Sequence, residues 1–146
     1  MPTTEHMNLT PLVGHWRLLS CVMTMSDTRE QIEIFGPHPE GHMILDPGGR
    51  IMFLFARPDR APPTSDTDRA TLFTTMMAYT GRARLAAPDR LVTTIDLAWN
   101  PAFEGEQTRF ITLEPNRLTL QTPEQLFPRY GNRPATGNAV FLREPA

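Results

Sequence analysis

Gly14-His15-Trp16-Arg17-Leu18-Leu19-Ser20-Cys21-Val22-Met23-Thr24-Met25 is long, rich in β-forming side chains, and reads as a strand. Before it, Asn8 to Val13 reads as a short helical turn. After it, Ile32 to Phe35 predicts a second strand, and Phe35-Gly36-Pro37-His38-Pro39-Glu40-Gly41 a rigid connection, because proline restricts φ and glycine permits unusual angles. Met43 to Leu45 and Ile51 to Phe55 form a hairpin about Asp46-Pro47-Gly48-Gly49, followed by a loop from Arg57 to Thr64. Further strands run over Tyr79 to Leu85, Leu91 to Trp99, Gln107 to Leu113, Arg117 to Gln121 and Asn138 to Arg143, with turns at Pro88-Asp89 and Glu114-Pro115-Asn116-Arg117 and a looser loop over Asn100 to Gly105. The 15 prolines punctuate many short segments, as in an all-β chain. About eight or nine strands predict a closed antiparallel up-and-down β-barrel.

One helix interrupts the strands. Ser65 caps its start, Asp66 and Asp68 favour its first turn, and Leu72, Phe73, Met76 and Met77 share one face at helical spacing. That face is expected to cover a barrel opening as a lid or plug.

The 146 residues fit one domain over 1–146, long enough to bury a core without disulfides or metals. A net charge of −2 and scattered arginines argue against nucleic acid or an anionic membrane as partner. Cys21 is the single cysteine, which suits a reducing compartment. Met1 to Asn8 is polar, unlike a signal peptide, and no apolar run approaches the ~20 residues of a membrane span. A cytoplasmic location is the expectation.

Both faces of Ile51-Met52-Phe53-Leu54-Phe55 are apolar, so one should line the interior and the other should be covered by the helix or by a second subunit, as in a homodimer. Asp96 shares a face with Val92, Thr94 and Ala98, while Arg109 shares one with Gln107, Ile111 and Leu113. Antiparallel register either brings Asp96 and Arg109 together in the cavity or leaves both facing water on the outer wall.

Gly14-His15-Trp16, with Arg143 on the last strand, resembles the lipocalin signature, which implies that the tryptophan closes the barrel base beneath a stacked arginine. Leu12-Val13-Gly14-His15-Trp16-Arg17-Leu18 is similar to the opening of the bacterial and fungal lipocalin-like domain family. So, in order along nearly the whole chain, are Phe35 to Gly41, Arg57-Pro58-Asp59-Arg60, Tyr79-Thr80-Gly81, Asn100-Pro101 with Gly105, Gln107-x-Arg109-Phe110, and Leu118-Thr119-Leu120-x-Thr122-Pro123. The resemblance implies a ligand-binding barrel, with related barrels including both carriers and enzymes. The chain departs from the pattern at Thr93 and Thr94, where many members carry histidine, and at Met52 and Leu54, where they carry small or polar residues. A histidine-based reaction on that strand is therefore not expected, and a more apolar pocket is.

His38-Pro39-Glu40-Gly41-His42 superficially resembles a metalloprotease motif, but Pro39 and Gly41 oppose the helix that would align its histidines, so no metal is expected. Cys21 reads as a buried structural thiol. No phosphate loop, nucleophile elbow or paired-cysteine motif appears, no cofactor is implied, and no catalytic residue stands out. Tyr79, Asp96 and Arg109 are the polar ligand candidates, joined by Gln107, Thr94, Met52, Leu54 and Met43 as lining. Arginine holds acidic oxygens by paired hydrogen bonds, and aspartate would orient it or act as a base. The leading function is binding of a small apolar or aromatic, optionally acidic, molecule. The alternative is a cofactor-independent isomerase, cyclase or lyase acting on a small hydrophobic substrate in the same cavity. A side-chain-filled structural or dimeric module is a third reading. The α+β cone of small isomerases fits less well, because it begins with long helices.

Overall fold

A computed structural model describes residues 8–127 and 130–145. The expectation for Met1–Met7 lies outside them, as do two residues of the loop before the last strand. Among the described residues ten strands form one antiparallel sheet: β1 (Gly14–Met25), β2 (Gln31–Glu33), β3 (Glu40–Leu45), β4 (Arg50–Ala56), β5 (Met76–Ala87), β6 (Arg90–Ala98), β7 (Gly105–Glu114), β8 (Arg117–Gln121), β9 (Gln125–Phe127) and β10 (Arg133–Arg143). Their order is β2-β1-β3-β4-β5-β6-β7-β8-β10-β9, and β1 also pairs with β10. That pairing, from Trp16 opposite Arg143 to Met25 opposite Ala135, closes eight strands into a barrel. The short strands β2 and β9 extend β1 and β10 beyond it; β9 has no counterpart in the strands expected from sequence.

Alternation places one side chain in two inside. Ile51, Phe53 and Phe55 of β4 are buried, as are Met43 and Leu45 of β3, Leu118 and Leu120 of β8, and Phe141 of β10. In β1 the inward set runs Trp16, Leu18, then Cys21, Met23 and Met25. The jump from Leu18 to Cys21 accompanies a bulge opposite β10, and an inserted residue reverses the alternation. Phe53 lies against Tyr79 with ring centroids 4.9 Å apart, and the Phe35, Phe55 and Phe141 rings continue the packing.

The base of the barrel explains Gly14-His15-Trp16. Trp16 is fully buried, and its indole N–H donates to Leu12 O at 3.0 Å, tying the strand to the 3-10 turn Thr10–Leu12. Arg143 stacks 4.1 Å over the indole and donates to Val13 O and Pro11 O. Gly14 has φ +129°, and a Cβ there would stand 3.3 Å from the Arg143 guanidinium, so the motif's glycine is required by backbone and neighbour alike.

Gly81 is the tightest backbone approach. A Cβ on it would lie 2.1 Å from Thr94 O, at the bulge where β6 slips against Thr80 and Gly81. Gly81→Ala is expected to destabilise the fold by about 1–3 kcal/mol, because backbone must move to admit the methyl group. Equilibrium denaturation checks this; an unchanged midpoint would mean that the two strands part freely there.

Helix α1 (Asp66–Thr74) starts as expected: Ser65 Oγ accepts from Asp68 N. It ends earlier than its apolar spacing implies. Met76 and Met77 pair with Ala56 and Phe55 as the first residues of β5, so ladder hydrogen bonds to β4 override helical periodicity. No residue of α1 is buried. The four-residue apolar face expected to form a lid is thus split between two elements. Phe73 instead packs on Trp99, whose indole N–H donates to Phe73 O at 2.9 Å.

Candidate functional site

Strand β7 carries the central group. Gln107, Arg109 and Ile111 alternate on its inward face and are all part-buried, whereas Phe110 between them is exposed. The Arg109 guanidinium donates to Gln107 Oε1 at 2.6 Å and to Thr108 O at 2.8 Å, and it lies near enough to the Tyr79 phenol to act on its ionisation. Gln107 is itself held, donating to Phe103 O at 3.1 Å. Thr93, buried on β6, stands opposite Gln107 in register. Tyr79 and Cys21 are both buried and both feel the Arg109 charge.

Burial pushes the Cys21 thiol from 9.0 up to about 12, with the Arg109 charge opposing the shift. Burial also raises the Tyr79 phenol, against the Arg109 charge. Both groups are therefore neutral at physiological pH. Two consequences follow for Cys21. Thiol reagents should fail to label the native protein at pH 8 and should label one thiol per chain once it is unfolded; native labelling at the unfolded rate would contradict the burial. The unfolded chain releases the thiol proton near pH 9.0 while the folded one holds it to about pH 12, so this group makes stability fall across that window.

Among the described residues no carboxylate pairs with Arg109. Every aspartate and glutamate there is exposed except Asp68 on α1 and Glu144, which follows β10 and pairs with Arg17. Asp96, expected as the partner, is on the outer wall. It accepts two hydrogen bonds from Arg50 Nη1, at 2.8 and 3.0 Å, and its side chain is 51 % exposed. The hydrogen bond from Arg50 holds Asp96 below the usual carboxylate range. The physical reason is alternation: Thr94 and Asp96 flank the buried Ile95 and both face out, while at the β6 bulge, where Ile95 pairs with Gly81 and Leu97 with Thr80, the unpaired Asp96 is followed by Leu97 on the outside as well.

Three lining candidates also sit outside. Thr94 pairs with Arg82 and Glu106 and is exposed. Met52 and Leu54 are 53 % and 50 % exposed, because the alternating Ile51, Phe53 and Phe55 take the interior. With both faces of β4 apolar, hydrophobicity alone does not distinguish inside from outside. Met43, Tyr79, Gln107 and Arg109 lie on the inner face, Met43 fully buried at the base opposite Trp16.

Sequence reasoning missed a cleft of about 390 Å³ between the 3-10 turn and the barrel wall, lined mainly by Pro11, Leu12, Leu85, Pro88, Ile111 and Leu113. Ile111 and Leu113 continue the Arg109 face of β7; that shared face is the signal in the sequence. Consecutive inward residues of a strand stand roughly 7 Å apart, so the cleft wall begins one such step from Arg109.

No helix among the described residues is long and apolar enough to cross a membrane. A search of curated proteins finds no match. The family model of the lipocalin-like domain matches residues 13–140, from the residue before Gly14 to the strand that carries Phe141 and Arg143. With the closed eight-stranded barrel and the Trp16–Arg143 base, this places the chain in the lipocalin-like domain family.

Proposed function

We propose that the barrel binds a small apolar or aromatic molecule carrying one acidic group, with Arg109 as its anchor. The observation that carries this reading is a guanidinium on the inner wall whose hydrogen-bond partners are both neutral: an amide oxygen and a backbone carbonyl. Withdrawing a charge from water is costly unless a counter-charge compensates it. An acidic ligand supplies that counter-charge and accepts paired hydrogen bonds from the fork. The buried Tyr79 hydroxyl near Arg109 keeps its own proton to donate. The apolar cleft one step along β7 suits the body of the ligand.

Binding is favoured over turnover by the same chemistry. Cys21 and Tyr79 are raised away from neutrality, and Asp96 is outside on Arg50. Among the described residues the inner wall thus offers no base matched to neutral pH.

A matched series tests the reading: aryl and alkyl carboxylic acids titrated against their primary amides and methyl esters. The acids are expected to bind at least tenfold more tightly. Equal affinity for the neutral isosteres would refute an anionic ligand.

A further inference from the structure

His15 and His42 meet on the outer wall at the base of the barrel. They come from neighbouring strands, β1 and β3, at diagonal positions of the ladder, since His15 faces Ile44 and Arg17 faces His42. His15 Nε2 and His42 Nδ1 are 2.8 Å apart, the ring centroids 4.8 Å apart, and both residues are exposed. The contact is a single shared proton between two ring nitrogens, one donating and one accepting.

We infer that this pair is a two-imidazole site for a borderline divalent cation of the Cu²⁺, Ni²⁺ or Zn²⁺ class. Two imidazole nitrogens bound to one such ion at 2.0–2.1 Å stand about 2.8–3.4 Å apart for angles of 90–109° at the metal. The observed separation is already at the lower edge of that range. Two exposed rings on adjacent rigid strands need only rotate their lone pairs from each other toward a common point. The shared proton moves to the far nitrogen of its own ring, so neutral imidazoles bind without changing their net protonation.

The surroundings tolerate the charge. Arg17, opposite His42, is offset by Glu144, whose carboxylate lies 3.5 Å from Arg17 Nε and whose backbone N–H donates to His15 O. No group of three or more potential ligands occurs among the described residues. The remaining coordination positions therefore belong to water or a small anion, and the donor set favours copper over zinc and nickel in affinity. The sequence contains His42 in His38-Pro39-Glu40-Gly41-His42, but its partner in space is 27 residues away, not four. The inference is independent of the ligand proposed for the interior.

The test uses the full chain without an affinity tag, stripped with chelator and titrated calorimetrically with Cu²⁺ and Ni²⁺. One ion per chain is expected, with two nitrogen couplings in the copper electron paramagnetic resonance spectrum. His15→Gln and His42→Gln should each weaken binding at least tenfold, with the circular dichroism spectrum unchanged. His6→Gln and His38→Gln should bind as wild type. The ion should raise the melting temperature of the wild type and not of either pair variant, because it clips β1 to β3 only in the folded state. Unchanged affinity in both pair variants, or loss of binding in His6→Gln or His38→Gln instead, would overturn the inference.

Discussion

Trp16→Ala is expected to destabilise the protein by about 3–5 kcal/mol, the range for large core truncations. Trp16 is fully buried at the barrel base, stacked under Arg143 and hydrogen-bonded to Leu12 O. Truncation leaves a cavity between the 3-10 turn and the strands, unseats the guanidinium and orphans a carbonyl. At roughly 2–4 °C per kcal/mol for a chain of this size, the melting temperature should drop by about 6–20 °C. Arg143→Ala should cost less. It forfeits a cation–π contact of ~0.5–2 kcal/mol and two hydrogen bonds to carbonyls that water reaches in part. Because the two side chains touch, the double variant should be less destabilised than the sum of the singles, by about 0.5–2 kcal/mol. Strict additivity in denaturant titrations would show that the stacking contributes nothing.

Arg109→Met is expected to keep the fold and lose acidic ligands. Methionine fills a similar length of the inner wall without a charge, and removing a guanidinium that has no carboxylate partner among the described residues spares its desolvation. Gln107 loses one hydrogen bond, so stability should stay within about 1 kcal/mol of wild type. Removing one member of a buried charge pair costs ~2–5 kcal/mol of binding, or roughly 30- to 5,000-fold in affinity. Neutral analogues should bind the variant and the wild type alike. Calorimetric titration of one acid and its amide against both proteins settles the point. An acid that binds the variant as tightly as the wild type would remove Arg109 from the ligand site.

The correct and incorrect expectations divide along a physical line. Strand positions were legible wherever β-formers ran between turn residues, as from Gly14 to Met25 and from Arg117 to Gln121, because local pattern and turn chemistry act over a few residues. The helix start was legible because Ser65 caps it through a contact three residues away. Its end was not, because pairing of Met76 and Met77 with β4 is a long-range effect. The inward face of β7 was also readable, since Gln107, Arg109 and Ile111 follow an undisturbed alternation. Asp96 was not, because alternation sets it on one face with Thr94 without saying which face of β6 turns inward, and the structure turns that face out. Met52 and Leu54 were misplaced for a different reason: a strand apolar on both faces carries no hydrophobic signal of direction.

The sequence by itself determined the all-β barrel, the Gly14-His15-Trp16 base with its distant Arg143, and an arginine on a face shared with Gln107 and Ile111. Tertiary structure alone decided that Arg109 lies where its charge reaches the buried Tyr79 and Cys21 rather than Asp96, that Asp96 belongs to Arg50, and that His42 belongs to His15. Alternation and turns are properties of neighbours in the chain. Which side chains face each other across a closed sheet depends on register, and a single bulge changes it.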